Sequence, residues 1–149
     1  MNALEIRDLS KHYAGFSLDH ISLTLPGGCV MGLVGENGAG KTTVIKLILN
    51  MIARNSGSVT VLGKDNKDHF ELTKEDIGVV LDEVGISGFL KAKQINNIMK
   101  HIFHNWDKDV FYSYLKKLSV PTNQKFRDFS NGTKMKMGIA IALSHKPLR

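Results

Sequence analysis

The chain has 149 residues, 42% of them hydrophobic and 23% charged, which is typical of one globular domain with its own core, and no apolar run reaches the roughly 18 residues of a membrane span. A single cysteine excludes an internal disulfide, and the N-terminus lacks a basic segment followed by an apolar stretch, so we expect a cytoplasmic protein. The formal net charge of +6 is dispersed along the chain, which favours a solvated basic surface over attraction to anionic lipid or nucleic acid.

The first third of the sequence is predicted to be rich in β-strands. Short runs with strand propensity at residues 4–6, 16–18 and 21–25 precede a Pro-Gly-Gly turn, which indicates half-buried antiparallel strands. Residues 29–34 are continuously apolar, as in a strand that a parallel sheet covers on both faces. We therefore expect Cys29 to be a small buried residue rather than a reactive thiol.

The rest of the chain alternates between two predicted strands and a helical region. Residues 58–62 and 77–81 are the strands, and the apolar residues of 95–103 and 111–118 recur at helical spacing. Trp106 is expected to pack in the helical region, and His101 and His104 are expected on an exposed helix surface rather than at a metal. We divide the chain into an antiparallel β segment, a core segment, a helical subdomain and a last helix, at residues 1–28, 29–82, 83–128 and 129–149.

A phosphate-binding motif lies between the apolar run and a helix-like stretch. Residues 35–42 read Gly-Glu-Asn-Gly-Ala-Gly-Lys-Thr, which matches G-x-x-x-x-G-K-T. Glycines let the backbone fold around a polyphosphate with its N–H groups pointing inward, and the following helix N-terminus favours an anion. Lys41 would reach the β- and γ-phosphates, and the Thr42 hydroxyl would ligate Mg²⁺. The alternative is a glycine-rich turn followed by Lys-Thr by chance.

This motif occurs in kinases, GTPases, motor proteins and transporter ATPases, so other residues must select the class. An antiparallel β segment with Tyr13 precedes the motif, and Phe129-Ser130-Asn131-Gly132-Thr133 opens a helix far downstream. With these features the chain resembles the nucleotide-binding domain of ABC transporters over essentially all 149 residues. It most resembles bacterial exporter subunits in which the ATPase is a separate chain. The resemblance implies an α/β P-loop NTPase core with an incomplete parallel sheet, an N-terminal antiparallel β subdomain and a helical subdomain.

The family resemblance also implies MgATP as the ligand. Tyr13 occupies the place of an aromatic residue that stacks on adenine, although a tyrosine that closes a β-turn is an alternative. Lys41 is the expected catalytic contact to the phosphates. The remaining phosphate-loop contacts are expected from the following residues: Gly35, Asn37, Gly38, Ala39, Gly40, Thr42 and Thr43.

Two further motifs depart from the family pattern. Asp82 lies where the family has a glutamine, and its carboxylate keeps an oxygen ligand for Mg²⁺; Glu83 and a merely solvated acidic loop are alternatives. The signature Leu-Ser-Gly-Gly-Gln is replaced by Phe129-Ser130-Asn131-Gly132-Thr133. Ser130, Asn131 and Gly132 are expected to close on the nucleotide of a second copy, and Asn131 is expected to tolerate a left-handed backbone. In isolation the same segment is simply a helix cap.

The resemblance further implies an acidic strand after the signature helix, with an aspartate for Mg²⁺ and a glutamate for the attacking water, and later a histidine that contacts the γ-phosphate. The sequence ends at Arg149, where that strand is expected to begin. We therefore interpret the chain as the N-terminal part of one ABC ATPase domain, which binds ATP but scarcely hydrolyses it. The uncovered sheet is expected to cause self-association, domain swapping or low stability.

The family resemblance implies two protein partners and no nucleic acid. One is a second ATPase subunit in a head-to-tail dimer, and the other is a membrane-spanning permease that docks near residues 82–99. The protein would then lie at the inner face of the cell membrane and couple ATP hydrolysis to transport, with export favoured. A soluble ABC-type ATPase without a membrane partner and a nucleotide-binding regulatory module remain alternatives.

Overall fold

The computed structural model describes residues 1–81 and 84–147, with the side chains of 71 and 72 left out. It divides into two compact units, of which the first ends at Thr73 and the second begins at Lys74. The first unit contains a four-stranded antiparallel sheet and one helix, and the second is helical. The finer division into four segments stays a prediction.

A long hairpin forms the main part of the sheet. Strand β1 (Asn2–Tyr13) pairs antiparallel with β2 (Phe16–Pro26), and β3 (Ser56–Val61) joins the other edge of β1. The two-residue β4 (Lys64–Asp65) pairs with β3, so the strand order is β2-β1-β3-β4. The predicted strands at 4–6, 16–18 and 21–25 are confirmed by these assignments, and that at 58–62 is confirmed up to Val61.

The first helix, α1 (Lys41–Ile48), packs on this sheet. An isolated helix of eight residues is marginal in water, so burial must hold it in place. Its two buried side chains, Val44 and Leu47, join a cluster from the strands. The cluster also contains Ile6, Leu9, Leu18 and Val59.

The predicted parallel strands are absent from the part of the chain that the structure describes. Residues 29–34 and 77–81 have no strand assignment, and every described strand pair is antiparallel. Val30 and Val34 are 101% and 93% exposed, and Cys29 is exposed as well, so the prediction of a buried strand with a buried cysteine was wrong. A strand forms only when a neighbour supplies the ladder hydrogen bonds, and no described segment pairs with residues 29–34.

The second unit contains the predicted helices. After α2 (Phe70–Asp76), which contains the boundary between the units, come α3 (Ala92–Ile102), α4 (Lys108–Lys117), a short 3₁₀ helix (Phe126–Asp128) and α5 (Asn131–Ser144). Their core consists of Ala92, Ile95, Phe111, Leu115, Val120, Phe126, Phe129, Met137 and Ala140. Trp106 packs against it, as predicted, and its indole N–H donates to Asn96 Oδ1 at 3.0 Å.

None of the helices in the described residues is long and apolar enough to cross a membrane.

Candidate nucleotide-binding site

The phosphate loop is an open turn that runs directly into α1. Gly38 and Gly40 have φ of 85° and 96°, backbone angles that residues other than glycine rarely adopt. The Ala39 N–H donates to Glu36 O at 3.2 Å, and the first bond of the helix runs from Val44 N–H to Gly40 O at 2.9 Å. Because the first N–H groups of a helix have no partner within it, those of α1 are available to an anion.

Gly40 is the point at which the hairpin holds the phosphate loop. It is buried, and a Cβ built on it would lie only 2.7 Å from both Phe16 and Leu18 of β2. The backbone angle favours glycine at this position, and any added Cβ would also force the ends of the Phe16 and Leu18 side chains to shift. The N-terminus of α1 thus lies against β2.

Lys41 is the first residue of α1, and its ammonium group lies over the loop. Its Nζ donates to Gly35 O at 2.5 Å and to Glu36 O at 2.6 Å. These contacts draw the loop around one cation. The ammonium, the unpaired N–H groups of the helix start and the helix dipole together make a concentrated site for a polyanion.

The residues after Lys41 provide hydroxyl groups but no metal cluster. Thr42 is exposed and Thr43 is half-buried at the start of α1. Within the ranges that the structure covers, no three acidic, histidine or cysteine residues lie together in a way that would hold a metal ion. His101 and His104 lie within these ranges. A hydroxyl is an oxygen ligand of the kind that Mg²⁺ accepts, so the metal contact predicted for Thr42 stays a prediction.

Tyr13 lies at the end of β1, across the hairpin turn from Phe16. Because Phe16 also lies against Gly40, the hairpin brings the aromatic end of β1 to the same part of the unit as the phosphate loop. Tyr13 is 47% exposed, and Lys11 Nζ lies 5.0 Å from the centroid of its ring. Tyr13 is the last residue of β1 before the turn, and its side chain leaves surface free for a base, so both roles predicted for it stay open.

The segment around Ser130 is a capped helix start. The Ser130 side chain accepts from the Thr133 N–H at 3.1 Å and lies 2.9 Å from the Thr133 hydroxyl. Asn131 is the first residue of α5 and has no positive φ, so the left-handed conformation expected for it is not used. Asn131 and Gly132 therefore both present helical N–H groups at this end.

Asp82 and Glu83 lie outside the described residues, so the predicted metal contact of Asp82 stays a prediction.

A polar network at the other end of α1 was not predicted. The buried Asn66 side chain donates from Nδ2 to Leu47 O at 2.7 Å and to Ile48 O at 2.8 Å, and its Oδ1 accepts from Arg54 Nη1 at 2.8 Å. Arg54 Nη2 in turn contacts both carboxylate oxygens of Asp65, at 3.1 and 2.9 Å. A lone Asn 19 positions from Leu47 carries no recognisable signal in the sequence.

The ionised form of the Asp65 carboxylate is stabilised by hydrogen bonds in this network. Burial by itself would raise the pKa of Asp65, but hydrogen bonds from the Lys67 backbone N–H and the Arg54 guanidinium outweigh it, so the pKa lies below its usual value. Arg54 and Asp65 are only 19% and 27% exposed, which screens their interaction less than that of a surface pair.

The sequence as a whole decides the family. Residues 18–148 match the family model described as ABC transporter. The chain belongs to this family. The resemblance drawn from the phosphate loop and the segment around Ser130 is thereby confirmed.

Relatives within the ABC transporter family are longer than this chain. The ABC transporter ATP-binding protein YtrB of Bacillus subtilis is 28% identical over 145 residues, which cover 97% of this chain and 49% of the relative. The bacitracin transport ATP-binding protein BcrA of Enterococcus faecalis is 28% identical over 147 residues, which cover 97% and 48%. The chain spans about half the length of the curated relatives it matches.

A solved ABC structure shares the fold. It is a dimeric ATP-binding cassette in a post-hydrolysis state, bound to ADP and Pi, and it superposes with a TM-score of 0.81 at 17% identity, covering 97% of this chain and 70% of that chain. The likeness confirms the predicted α/β P-loop NTPase fold class.

Proposed function

We propose that this chain binds MgATP as the nucleotide-binding part of an ABC transporter ATP-binding subunit. The observation that carries the proposal is the placement of Lys41. Its ammonium lies over the loop formed by Gly35 and Glu36, at the N-terminus of α1, where backbone N–H groups have no helical partner. A triphosphate there would exchange the two carbonyl contacts of Lys41 for stronger ones, in which donor and acceptor carry opposite charges.

The roles of the other residues follow from that placement. Loop residues Gly38, Ala39 and Gly40 would offer N–H groups to the phosphates, and Tyr13 would stack on the base. Mg²⁺, held by the phosphates and the Thr42 hydroxyl, supplies charge neutralisation at the β- and γ-oxygens. Asp82 is proposed as a second oxygen ligand.

Hydrolysis by residues 1–149 alone is proposed to be slow. The family resemblance implies acidic residues after the signature helix, to hold Mg²⁺ and to activate water, and we propose that they lie outside residues 1–149. Turnover and its coupling to transport would therefore need further polypeptide.

The partners are proposed from the family and from the helix start at Ser130. The dimeric state of the solved cassette supports a pair of subunits, and the family resemblance implies that the pair is head-to-tail. Ser130, Asn131 and Gly132 would then present a hydroxyl and helical N–H groups to the second nucleotide. The name of the bacitracin transport protein supports a role in transport, and we favour export through a separate permease at the inner face of the membrane.

Calorimetric titration of the purified chain with MgATP tests the proposal. Wild-type protein is expected to bind, and Lys41→Ala is expected to weaken binding by at least about tenfold, because a hydrogen bond to a charged group is lost. Lys46→Ala is the matched control, since Lys46 lies exposed on the same helix away from the loop. Equal affinities for all three proteins, or no binding by the wild type, would contradict the proposal.

A further inference from the structure

The C-terminus of α1 is hydrogen-bonded to side chains that no motif identifies. Asn66, Arg54 and Asp65 form a connected set of side chains, which we call the Asn66 clamp. Asn66 is 1% exposed, and all the polar atoms of its side chain are used: Nδ2 by the carbonyls of Leu47 and Ile48, and Oδ1 by Arg54. These two carbonyls belong to the last turn of α1, where carbonyl groups have no partner within the helix.

The clamp completes the end of a very short helix. Asn50, with φ of 52°, turns the chain out of α1, and its N–H donates to Leu47 O at 3.2 Å. Asn66 adds a side-chain donor to the same carbonyl, which the Leu49 N–H also contacts, and supplies a donor to Ile48 O. The Asn66 backbone is itself fixed, because its N–H donates to Val59 O of β3 at 3.0 Å. The helix end is thus tied to the sheet.

We infer that the Asn66 clamp positions the phosphate-binding end of α1 and thereby sets nucleotide affinity. This inference rests on the proposed function. The helix is about 12 Å long and moves as one rigid body, so if its end at Ile48 can shift, its start at Lys41 shifts as well. The loop binds a polyanion well only when its N–H groups already converge. Molecules in which the helix is tilted do not bind, so the apparent affinity falls in proportion to the fraction of molecules that keep the helix in place.

Arg54 and Asp65 act through Asn66 rather than on the ligand. Arg54 orients the carboxamide, since its Nη1 can only donate and so requires Oδ1 on that side and Nδ2 toward the helix. Asp65 orients Arg54 by the two contacts to Nη2. All three are positioning residues.

Titration with MgATP, at a temperature where circular dichroism shows every variant folded, tests this inference. Asn66→Ala is expected to weaken binding about tenfold and Arg54→Met about threefold, since the first removes the donors and the second only their orientation. Arg54→Lys is expected to lie between Arg54→Met and wild type. The matched control is Arg7→Met, which removes an exposed pair with Glu5 in the same unit and is expected to leave affinity unchanged.

A second readout separates positioning from general stability. Hydrogen exchange at the Val44 N–H, which bonds to Gly40 O at the loop end of α1, is expected to accelerate in Asn66→Ala and Arg54→Met but not in Arg7→Met. If Asn66→Ala does not fold, Arg54→Met decides, because it leaves Asn66 in place.

The outcomes are distinguishable from failure of the proposed function. Wild-type affinity in Asn66→Ala and Arg54→Met, together with a lower melting temperature, would overturn the inference and leave the clamp a purely structural feature. If the wild type itself does not bind MgATP, or Lys41→Ala binds as well as it does, the proposed function fails instead.

Discussion

The imidazole of His145 lies flat against the ring of Phe103, with centroids 4.1 Å apart and planes 10° apart. His145 is 1% exposed, and its Nε2 lies 3.0 Å from Ile77 O, so the Nε2–H tautomer donates there. Its Nδ1 has no partner in the described structure and carries the lone pair in that tautomer. One ring thus ties the end of α5 to residue 77 and to the segment after α3.

Loss of this ring should destabilise the second unit. His145→Ala is expected to lower the free energy of unfolding by about 2–4 kcal/mol, because a cavity replaces the stacked ring and Ile77 O loses its donor. Urea unfolding followed by circular dichroism measures the change. His104→Ala is the control, since that side chain is exposed and is expected to cost little. Equal midpoints for the two variants would show that the stacked ring contributes nothing.

Gly40 should be sensitive to the smallest substitution. Gly40→Ala is expected to cost about 2–3 kcal/mol, from the left-handed backbone angle and from overlap with Phe16 and Leu18. The affinity of Gly40→Ala for MgATP should also be lower than that of wild type, because the added methyl group displaces the phosphate loop. In Gly32→Ala the added Cβ meets no atom within 4 Å, so thermal unfolding of the two variants side by side gives a matched comparison. If Gly40→Ala leaves the free energy of unfolding unchanged, neither the backbone angle nor the overlap with Phe16 and Leu18 is costly.

Tyr13 should distinguish base stacking from turn closure. Tyr13→Ala is expected to weaken MgATP binding about tenfold, and MgGTP binding similarly, because stacking on an aromatic ring is tolerant of the base. Tyr13→Phe keeps the ring and should bind like wild type. Titration of the three proteins with both nucleotides measures this. If Tyr13→Ala loses stability but not affinity, the ring only closes the turn.

Asp107 should make stability depend on pH at the acidic end. Its Oδ2 lies 2.8 Å from Lys146 Nζ, and Oδ1 caps α4 by accepting from the N–H groups of Asp109 and Val110 at 3.0 Å. The hydrogen bond from Lys146, followed by the one from Val110, lowers the pKa of Asp107. A lowered pKa contributes stability above about pH 4, and that contribution is lost as the pH falls through the folded-state value.

The comparison that isolates this charge is Asp107→Asn, which keeps a capping oxygen. Wild type is expected to melt higher than Asp107→Asn at pH 7, and the gap is expected to narrow as the pH falls through the lowered pKa of Asp107. A gap of the same size at pH 7 and throughout the acidic range would attribute the difference to packing rather than to charge.

Local patterns predicted much of the fold correctly. The hairpin of β1 and β2 follows from alternating side chains, and α3, α4 and α5 follow from apolar residues at helical spacing. Residues 29–34 were misassigned because an apolar run indicates burial only if other segments cover it. That cover depends on strands distant in sequence, and none of those described pairs with this run.

The candidate site divides in the same way. The phosphate loop could be predicted because its chemistry is contained in eight consecutive residues, and the Ser130 cap because it contacts Thr133, only three positions away. Asn66 could not, since its partners lie 18 and 19 positions earlier in a chain where a single asparagine is unremarkable.

By itself, the sequence determined where the backbone turns, where α1 and α5 begin, and which residues can face a polyphosphate. These features depend on bonds between near neighbours, which the order of residues already brings together. Only the tertiary structure decided that Phe16 and Leu18 lie against Gly40, that Asn66 holds the far end of α1, and that Val30 and Val34 are exposed. Each of these depends on contacts between distant segments, which exist only once the sheet and its helix have packed.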